Sequence, residues 1–158
     1  MSICAQCAAI GKTCCQKCEI LLTDGDIKRI NAATGMTDFH EFRKPDNPAY
    51  LDQEDDPAWL HLAFEPDGTR RVLKRKANLD CQFLTKNGCR LDMETRPIVC
   101  RLYPYEYTEQ GISGVCGSEC PTHAMKLDKS LVDALSMNEN DANRWRNMLY
   151  SELRACKR

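Results

Sequence analysis

The chain has 158 residues, 11 of them cysteine, and its 22 lysines and arginines nearly balance 23 aspartates and glutamates. That balance excludes the whole-molecule field that draws nucleic acid or an anionic membrane surface, so neither partner is expected. No apolar run is long enough to span a bilayer, and the length fits one domain, 1–158, whose modest core would gain from a metal staple.

Five cysteines fall between Cys4 and Cys18, in CAQCAAIGKTCCQKC. Met1 to Lys12 lacks the uninterrupted apolar region of a signal peptide, which predicts a cytoplasmic protein. In that reducing compartment so many cysteines favour metal ligation over disulfides. Cys4-x2-Cys7 is a two-thiolate spacing whose tight turn lets both sulfurs meet one metal. Cys14-Cys15 in extended backbone would point opposite ways, so the pair serves two metals, or one ligates while the other packs. Gly11-Lys12-Thr13 looks like the end of a phosphate loop, but Gln6 stands where the first glycine belongs, and nucleotide binding is set aside.

Thr23-Asp24-Gly25-Asp26 predicts a helix start, with Thr23 as N-cap and Gly35 closing the helix after Thr34. A second short helix after Thr37 is expected to carry Phe39 and Phe42 inward. Residues 44–57, with three prolines and five acids, read as a solvated loop. Leu60, Leu62 and Phe64 alternate, and Pro66-Asp67-Gly68 would turn this strand into a second one, Arg70 to Lys74, as a hairpin. The basic run Arg70, Arg71, Lys74, Arg75, Lys76 reads as a solvated strand face. Asn87-Gly88 predicts a tight hairpin in which both turn residues take positive φ and Lys86 lies beside Cys89. Pro97 opens a short helix that Pro104 stops. Tyr105–Thr108 and Ile112–Val115 form another hairpin. Ser130 to Leu135 reads as a short helix. Ala142, Trp145, Met148, Leu149 and Leu153 recur at helical spacing along an amphipathic C-terminal helix, Asn140 to Ala155.

The remaining cysteines form two groups: Cys81-x7-Cys89 with Cys100, and Cys116-x3-Cys120 with His123 close behind. Cys18 and Cys156 look dispensable, His40 and His61 structural. The expected metal ligands are Cys4, Cys7, Cys14, Cys15, Cys81, Cys89, Cys100 and Cys120, with Cys116 and His123 as substitutes. Spacing leaves open one site or two, and all-thiolate sites suit zinc and iron–sulfur clusters alike. Arg96 and Arg101 flank Cys100, where a guanidinium would offset thiolate charge from outside the ligand shell, the plainer reading being surface ion pairs.

Cys4-x2-Cys7 with Cys14-Cys15, Leu22-Thr23-x2-Asp26-Ile27, Cys81-x-Phe83-Leu84 to Gly88-Cys89, and Arg96-Pro97-x2-Cys100-Arg101-x-Tyr103-Pro104 follow in order over residues 4–104. Together they resemble the YkgJ-like cysteine-rich family of zinc- or iron-chelating domains, leaving 122–158 as a helical C-terminal extension. The resemblance implies a bacterial protein that binds zinc or an iron–sulfur cluster, and flagellin lysine N-methylase is similar in cysteine pattern. This chain departs from the commonest family form: six residues rather than two separate Cys7 from Cys14, and Cys18, Cys116 and Cys120 are added. It has no block assignable to a methyl donor.

The expected fold class is therefore α+β: a small, irregular, metal-stapled domain of short helices and hairpins with an amphipathic C-terminal helix. The leading function is metal binding, with a structural metal or cluster held by cysteines. The alternatives are an enzyme, lysine N-methylase-like or redox, using an open coordination position, and a partner-binding module using the Asp52 to Asp56 loop or the basic strand.

Overall fold

The computed structural model describes residues 3–10, 14–52, 54–116 and 129–157, apart from the side chains of Cys4, Cys14 and Lys17. Two helices open it, α1 (Ile3–Ile10) and α2 (Cys14–Lys17). The sequence pointed to a turn at Cys4-x2-Cys7 and extended backbone at Cys14-Cys15, and both readings are corrected. Ala5, Ala8 and Ala9 favour helix through the first pair.

Helix α3 (Asp24–Thr34) begins and ends where its caps predict. Thr23 Oγ1 accepts from the Asp26 N–H at 2.9 Å while the Asp26 carboxylate accepts from the Thr23 N–H at 3.0 Å, a reciprocal capping box. Gly35, with φ 73°, supplies the left-handed C-cap.

The expected second helix is a strand instead, β1 (His40–Arg43), with Phe39 buried and Phe42 exposed. It pairs antiparallel with β2 (Arg70–Leu73), from His40 opposite Leu73 to Arg43 opposite Arg70. The other edge of β2 meets the extended Ile20–Leu22 segment, where Leu22 N–H donates to Arg71 O at 3.0 Å and Leu73 N–H to Ile20 O at 2.9 Å. With both edges occupied, β2 is central to this half of the fold. The hairpin expected from residues 59–64 into β2 is absent. Residues 59–63 lie in α4 (Pro57–Ala63), with Phe64 as its extended C-cap, and this helix follows a 3-10 turn at Pro48–Leu51. Pro57 suits a first helical turn, and Leu62 and Ala63 are buried while Leu60 faces solvent.

Strands β3 (Leu84–Thr85) and β4 (Gly88–Cys89) form the small hairpin, one residue out of the expected register: Lys86 and Asn87 make the turn, Leu84 opposes Cys89, and only Gly88 takes positive φ, 96°. Thr85 Oγ1 accepts the Asn87 N–H and donates to Gly88 O, which favours this turn over one centred on Asn87-Gly88. Helix α5 (Ile98–Leu102) follows Pro97 and ends before the cis Tyr103–Pro104 bond. The hairpin of β5 (Tyr105–Thr108) and β6 (Gly111–Val115) forms as expected, as do α6 (Leu131–Ala134), capped by Ser130, and the long α7 (Glu139–Cys156), capped by Asn138.

These short helices, paired strands and C-terminal helix make a mixed α+β architecture with two cores. The first joins Leu62 and Phe64 to Ile98 and Leu102 of α5 and to Trp145, Leu149, Tyr150 and Leu153 of α7. The second joins Ile20, Leu22, Ile30, Phe39, Leu73, Phe83 and Leu91 to Cys81, with Cys15, Cys18, Cys89 and Cys100 packed against it. Buried Asp26 ties the two together, because Oδ1 accepts both the Ile98 N–H at the start of α5 (3.1 Å) and an Arg29 N–H (2.8 Å). Arg29 and Thr23 in turn donate to Glu152 of α7. No helix among the described residues is long and apolar enough to cross a membrane.

Candidate metal centre

Four separate stretches of chain bring Cys15, Cys81, Cys89 and Cys100 into one neighbourhood. Cys15 comes from α2, Cys81 from the approach to β3, Cys89 from β4 and Cys100 from α5. The first two segments are fastened directly, the Cys81 N–H donating to Cys15 O at 2.7 Å, and α1, which carries buried Cys7, packs on the β3–β4 hairpin.

Electrostatics records the same gathering. Burial pushes the Cys81 thiol up to about 11, and the charges of Cys15 and Cys89 add to the rise while Arg75 opposes it. Burial also holds the Cys100 thiol well above the usual range, reinforced by Cys15, Cys81 and Cys89. The neighbouring sulfurs thus make the Cys81 and Cys100 thiolates harder to form, in a setting that already disfavours charge. A bound cation inverts that logic, since it is the one local charge large enough to deprotonate several buried thiols together.

Among the described residues no three Cys, His, Asp or Glu side chains close tightly enough on a point to grip an ion. Cys81 and Cys100 carry free thiols. The all-sulfur donor set, Cys81 buried and the other three half-buried, fits thiophilic zinc or iron and suits hard oxygen-seeking cations poorly.

The other candidates are dispersed or lie elsewhere. Cys18 packs at the rim of the second core, and its charge bears on Tyr50. Cys116 ends the β6 ribbon, its N–H donating to Pro104 O. Cys156 is exposed at the end of α7 and its Sγ donates to Asp24. Cys120 and His123, like the side chains of Cys4 and Cys14, lie outside the described residues. His40 sits on β1 and His61 in the last turn of α4.

The arginines divide differently from the sequence reading. Arg101 is buried, but its guanidinium donates to Arg96 O (2.8 Å) and Glu94 O (2.7 Å), while Arg96 Nε donates to Leu91 O at 2.9 Å. Both organise the loop ahead of α5. Arg75 lies beside the segments that carry the thiols: its backbone pairs with Cys81 in an antiparallel bridge, its Nη1 donates to Leu79 O (2.6 Å) and Cys15 O (3.4 Å), and its charge opposes the rise of the Cys81 thiol. Its Nη2 is buried with no hydrogen-bond partner among the described residues. Leu79 takes the left-handed region, φ 73°, to turn its carbonyl toward this guanidinium. The basic run was therefore not one solvated face. Arg75 approaches the sulfurs, and Arg70 is only 3% exposed, its guanidinium over the Tyr50 ring at 4.2 Å. The signal in sequence was faint: a positive residue six positions before a cysteine, which only the Lys76–Asp80 turn folds back.

A model of the CxxCxxCC family, a putative zinc- or iron-chelating domain, matches residues 3–121. The match agrees with the resemblance read from the cysteine and R-P-x-x-C-R-x-Y-P blocks and carries it past residue 104 through Cys116 and Cys120. Neither a curated protein nor a solved structure matches the chain.

Proposed function

Because the chain belongs to the CxxCxxCC family of zinc- or iron-chelating domains, we propose that it holds zinc or an iron–sulfur cluster through Cys15, Cys81, Cys89 and Cys100, and that the metal completes the sulfur-lined half of the fold. Cys4, Cys7, Cys14 and Cys120, with Cys116 and His123 as substitutes, are the donors for a further site. One observation supports this reading: four cysteines from distant chain segments pack around one core, and burial together with the neighbouring sulfurs disfavours ionisation of Cys81 and Cys100. The metal supplies charge compensation and a cross-link, and ligation is then linked to folding. Arg75, with its unpartnered buried Nη2, is positioned to donate to a ligating sulfur and offset the negative charge that four thiolates leave around a divalent ion.

The test is metal and sulfide analysis with a visible absorption spectrum on protein purified without oxygen or added metal. Stoichiometric metal in the wild type and in Cys156→Ser, and its loss in Cys100→Ser, are expected. Equal metal in wild type and Cys100→Ser would overturn the assignment. Broad visible absorption with sulfide identifies a cluster, and colourless protein with zinc identifies a structural ion.

The enzymatic reading keeps one observation in its favour. A cavity is lined by Val99, the residue before Cys100 in α5, and by half-buried Tyr107, whose ionisation burial and then the Cys100 charge disfavour.

A further inference from the structure

Among the described residues no strand or bridge pairs with the outer edge of β1. The hydrogen bonds of β2 decide which groups face that edge. Arg71 and Leu73, opposite Phe42 and His40, turn their backbone groups the other way: Arg71 O accepts from Leu22 N–H at 3.0 Å, and Leu73 N–H donates to Ile20 O at 2.9 Å. Phe39 O accepts from Lys74 N–H at 2.9 Å. Bonded and non-bonded positions alternate in an antiparallel pair, so the N–H and C=O groups of His40 and Phe42 point away from β2. Such an edge is a template for another strand. Lys44 and Pro45, residue types that guard edges, lie past its end.

The side chains select the partner. In His40-Glu41-Phe42-Arg43 an acid and a base stand symmetrically about Phe42. Two copies of β1 related by a two-fold axis and bonded through their outward residues have few registers to choose from. Centred on Glu41, the pairing sets that carboxylate against itself, and centred on Arg43 it sets guanidinium against guanidinium. Like charges directly opposite destabilise a strand pair. Centred on His40, it leaves Glu41 opposite Phe39. Centred on Phe42, it sets each Glu41 opposite the Arg43 of the other copy, twice by symmetry, and opposes the two Phe42 rings.

The groups this register uses are on the surface. Phe42 is 50% exposed, with the Arg71 guanidinium over its ring at 4.7 Å. Arg43 is shared among Asp46 at 2.6 Å, Glu41 at 3.8 Å and Glu19 at 4.0 Å, and Glu41 and Arg43 are each more than a third exposed. Surface pairs of this kind contribute little, so exchanging the Glu41–Arg43 contact within one strand for two between copies costs little. His40 then faces Lys44 of the other copy without a like-charge clash, because burial and the charges of Arg71 and Lys74 favour its neutral ring.

We propose that the outer edge of β1 is a self-association surface, on which a second copy of this chain pairs antiparallel about Phe42. Each Phe42 N–H donates to the Phe42 O of the other copy, and the sheet of Ile20–Leu22, β2 and β1 continues across both molecules. The inference does not depend on which metal the cysteines hold.

The experiment is sedimentation equilibrium of the protein as purified, metal retained and cysteines kept reduced, from about 10 μM to about 1 mM, the range of weak association. A reversible monomer–dimer equilibrium is expected. Glu41→Arg and Arg43→Glu, checked for folding by circular dichroism, should each weaken it about tenfold or more, since each turns two attractive cross-strand pairs into repulsive ones. The Glu41→Arg/Arg43→Glu double variant, with the charges exchanged, should return to within about threefold of the wild type. In the unaltered protein, hydrogen exchange at the Phe42 amide should slow as concentration rises, a readout independent of how any variant folds. A monomer throughout the range leaves the edge to a strand of some other polypeptide and overturns the proposal. So does a dimer indifferent to the single charge reversals, a double variant no stronger than the singles, or concentration-dependent protection confined to segments other than β1. Failure of this test leaves the metal content of the protein untouched, so the two readings fail separately.

Discussion

The two cores are built from different materials. Around α7 the packing is hydrocarbon: Leu102 and Leu149 are fully buried, Leu153 and Trp145 nearly so, and α7 itself is capped by Asn138. Around Cys81 the second core also takes in Ile30 of α3 and Leu73 of β2, but the elements that carry its cysteines are a four-residue helix, two-residue strands and a five-residue helix. Two-residue strands and single-turn helices have little stability of their own. The first half can be held by apolar burial; the short cysteine-bearing elements of the second would gain most from a cross-link, which is the part a metal plays in small domains.

Breaking the sulfur half should give the largest effect. Cys15→Ser or Cys100→Ser is expected to lose metal and solubility together, since structural zinc contributes on the order of 10 kcal/mol to folding in the best-known cases. Cys156→Ser should change neither. Chelation of the wild type sharpens the comparison further: by hydrogen exchange, the β3–β4 hairpin and α2 should lose protection while α7 keeps most of its own. Uniform loss across both halves would show that the cores are one unit.

Leu149→Ala attacks the other half. It should cost about 2–5 kcal/mol by denaturant unfolding, with metal stoichiometry unchanged. Asp26→Ala strikes the link and should cost about 1–3 kcal/mol, because the Thr23 and Ile98 N–H groups lose their acceptor in a buried place. The loss should appear in both halves.

The smallest effect concerns pH. Burial, then the charges of Arg71 and Lys74, hold the His40 imidazole below its usual value of 6.5. The fold therefore favours the neutral ring. That contribution is present above about pH 6.5 and is lost as pH falls through the lower folded value. Partial exposure keeps it small, so His40→Gln should flatten the acid side of the Tm profile by about 1 °C or less.

Legibility from sequence followed locality. Helices α3 and α7 could be read because a cap, a period and a terminator lie within one stretch: Thr23 with Asp26 and Gly35, and Trp145, Leu149 and Leu153 spaced for one face. Residues 59–64 could not, because Leu60, Leu62 and Phe64 satisfy a strand pattern while packing against α7 decides for helix. Strand β1 depends on β2, a partner far along the chain. The grouping of Cys81, Cys89 and Cys100 was visible in their spacing. That Cys15 joins them, that Arg75 rather than Arg96 or Arg101 approaches them, and that Arg70 is buried over Tyr50 all depend on tertiary folding, which spacing does not encode.

The order in which these cysteines occur has a consequence for biosynthesis. All four gathered sulfurs have left the ribosome once residue 100 has emerged, whereas the hydrocarbon half still awaits α7, and Asp26 and Arg29 still await Glu152. If these four sulfurs hold the metal as proposed, a nascent chain can recruit it before its longest helix exists. On that reading, growth medium depleted of the metal would act on the chain during translation, when the partly made protein has no core around α7 to fall back on.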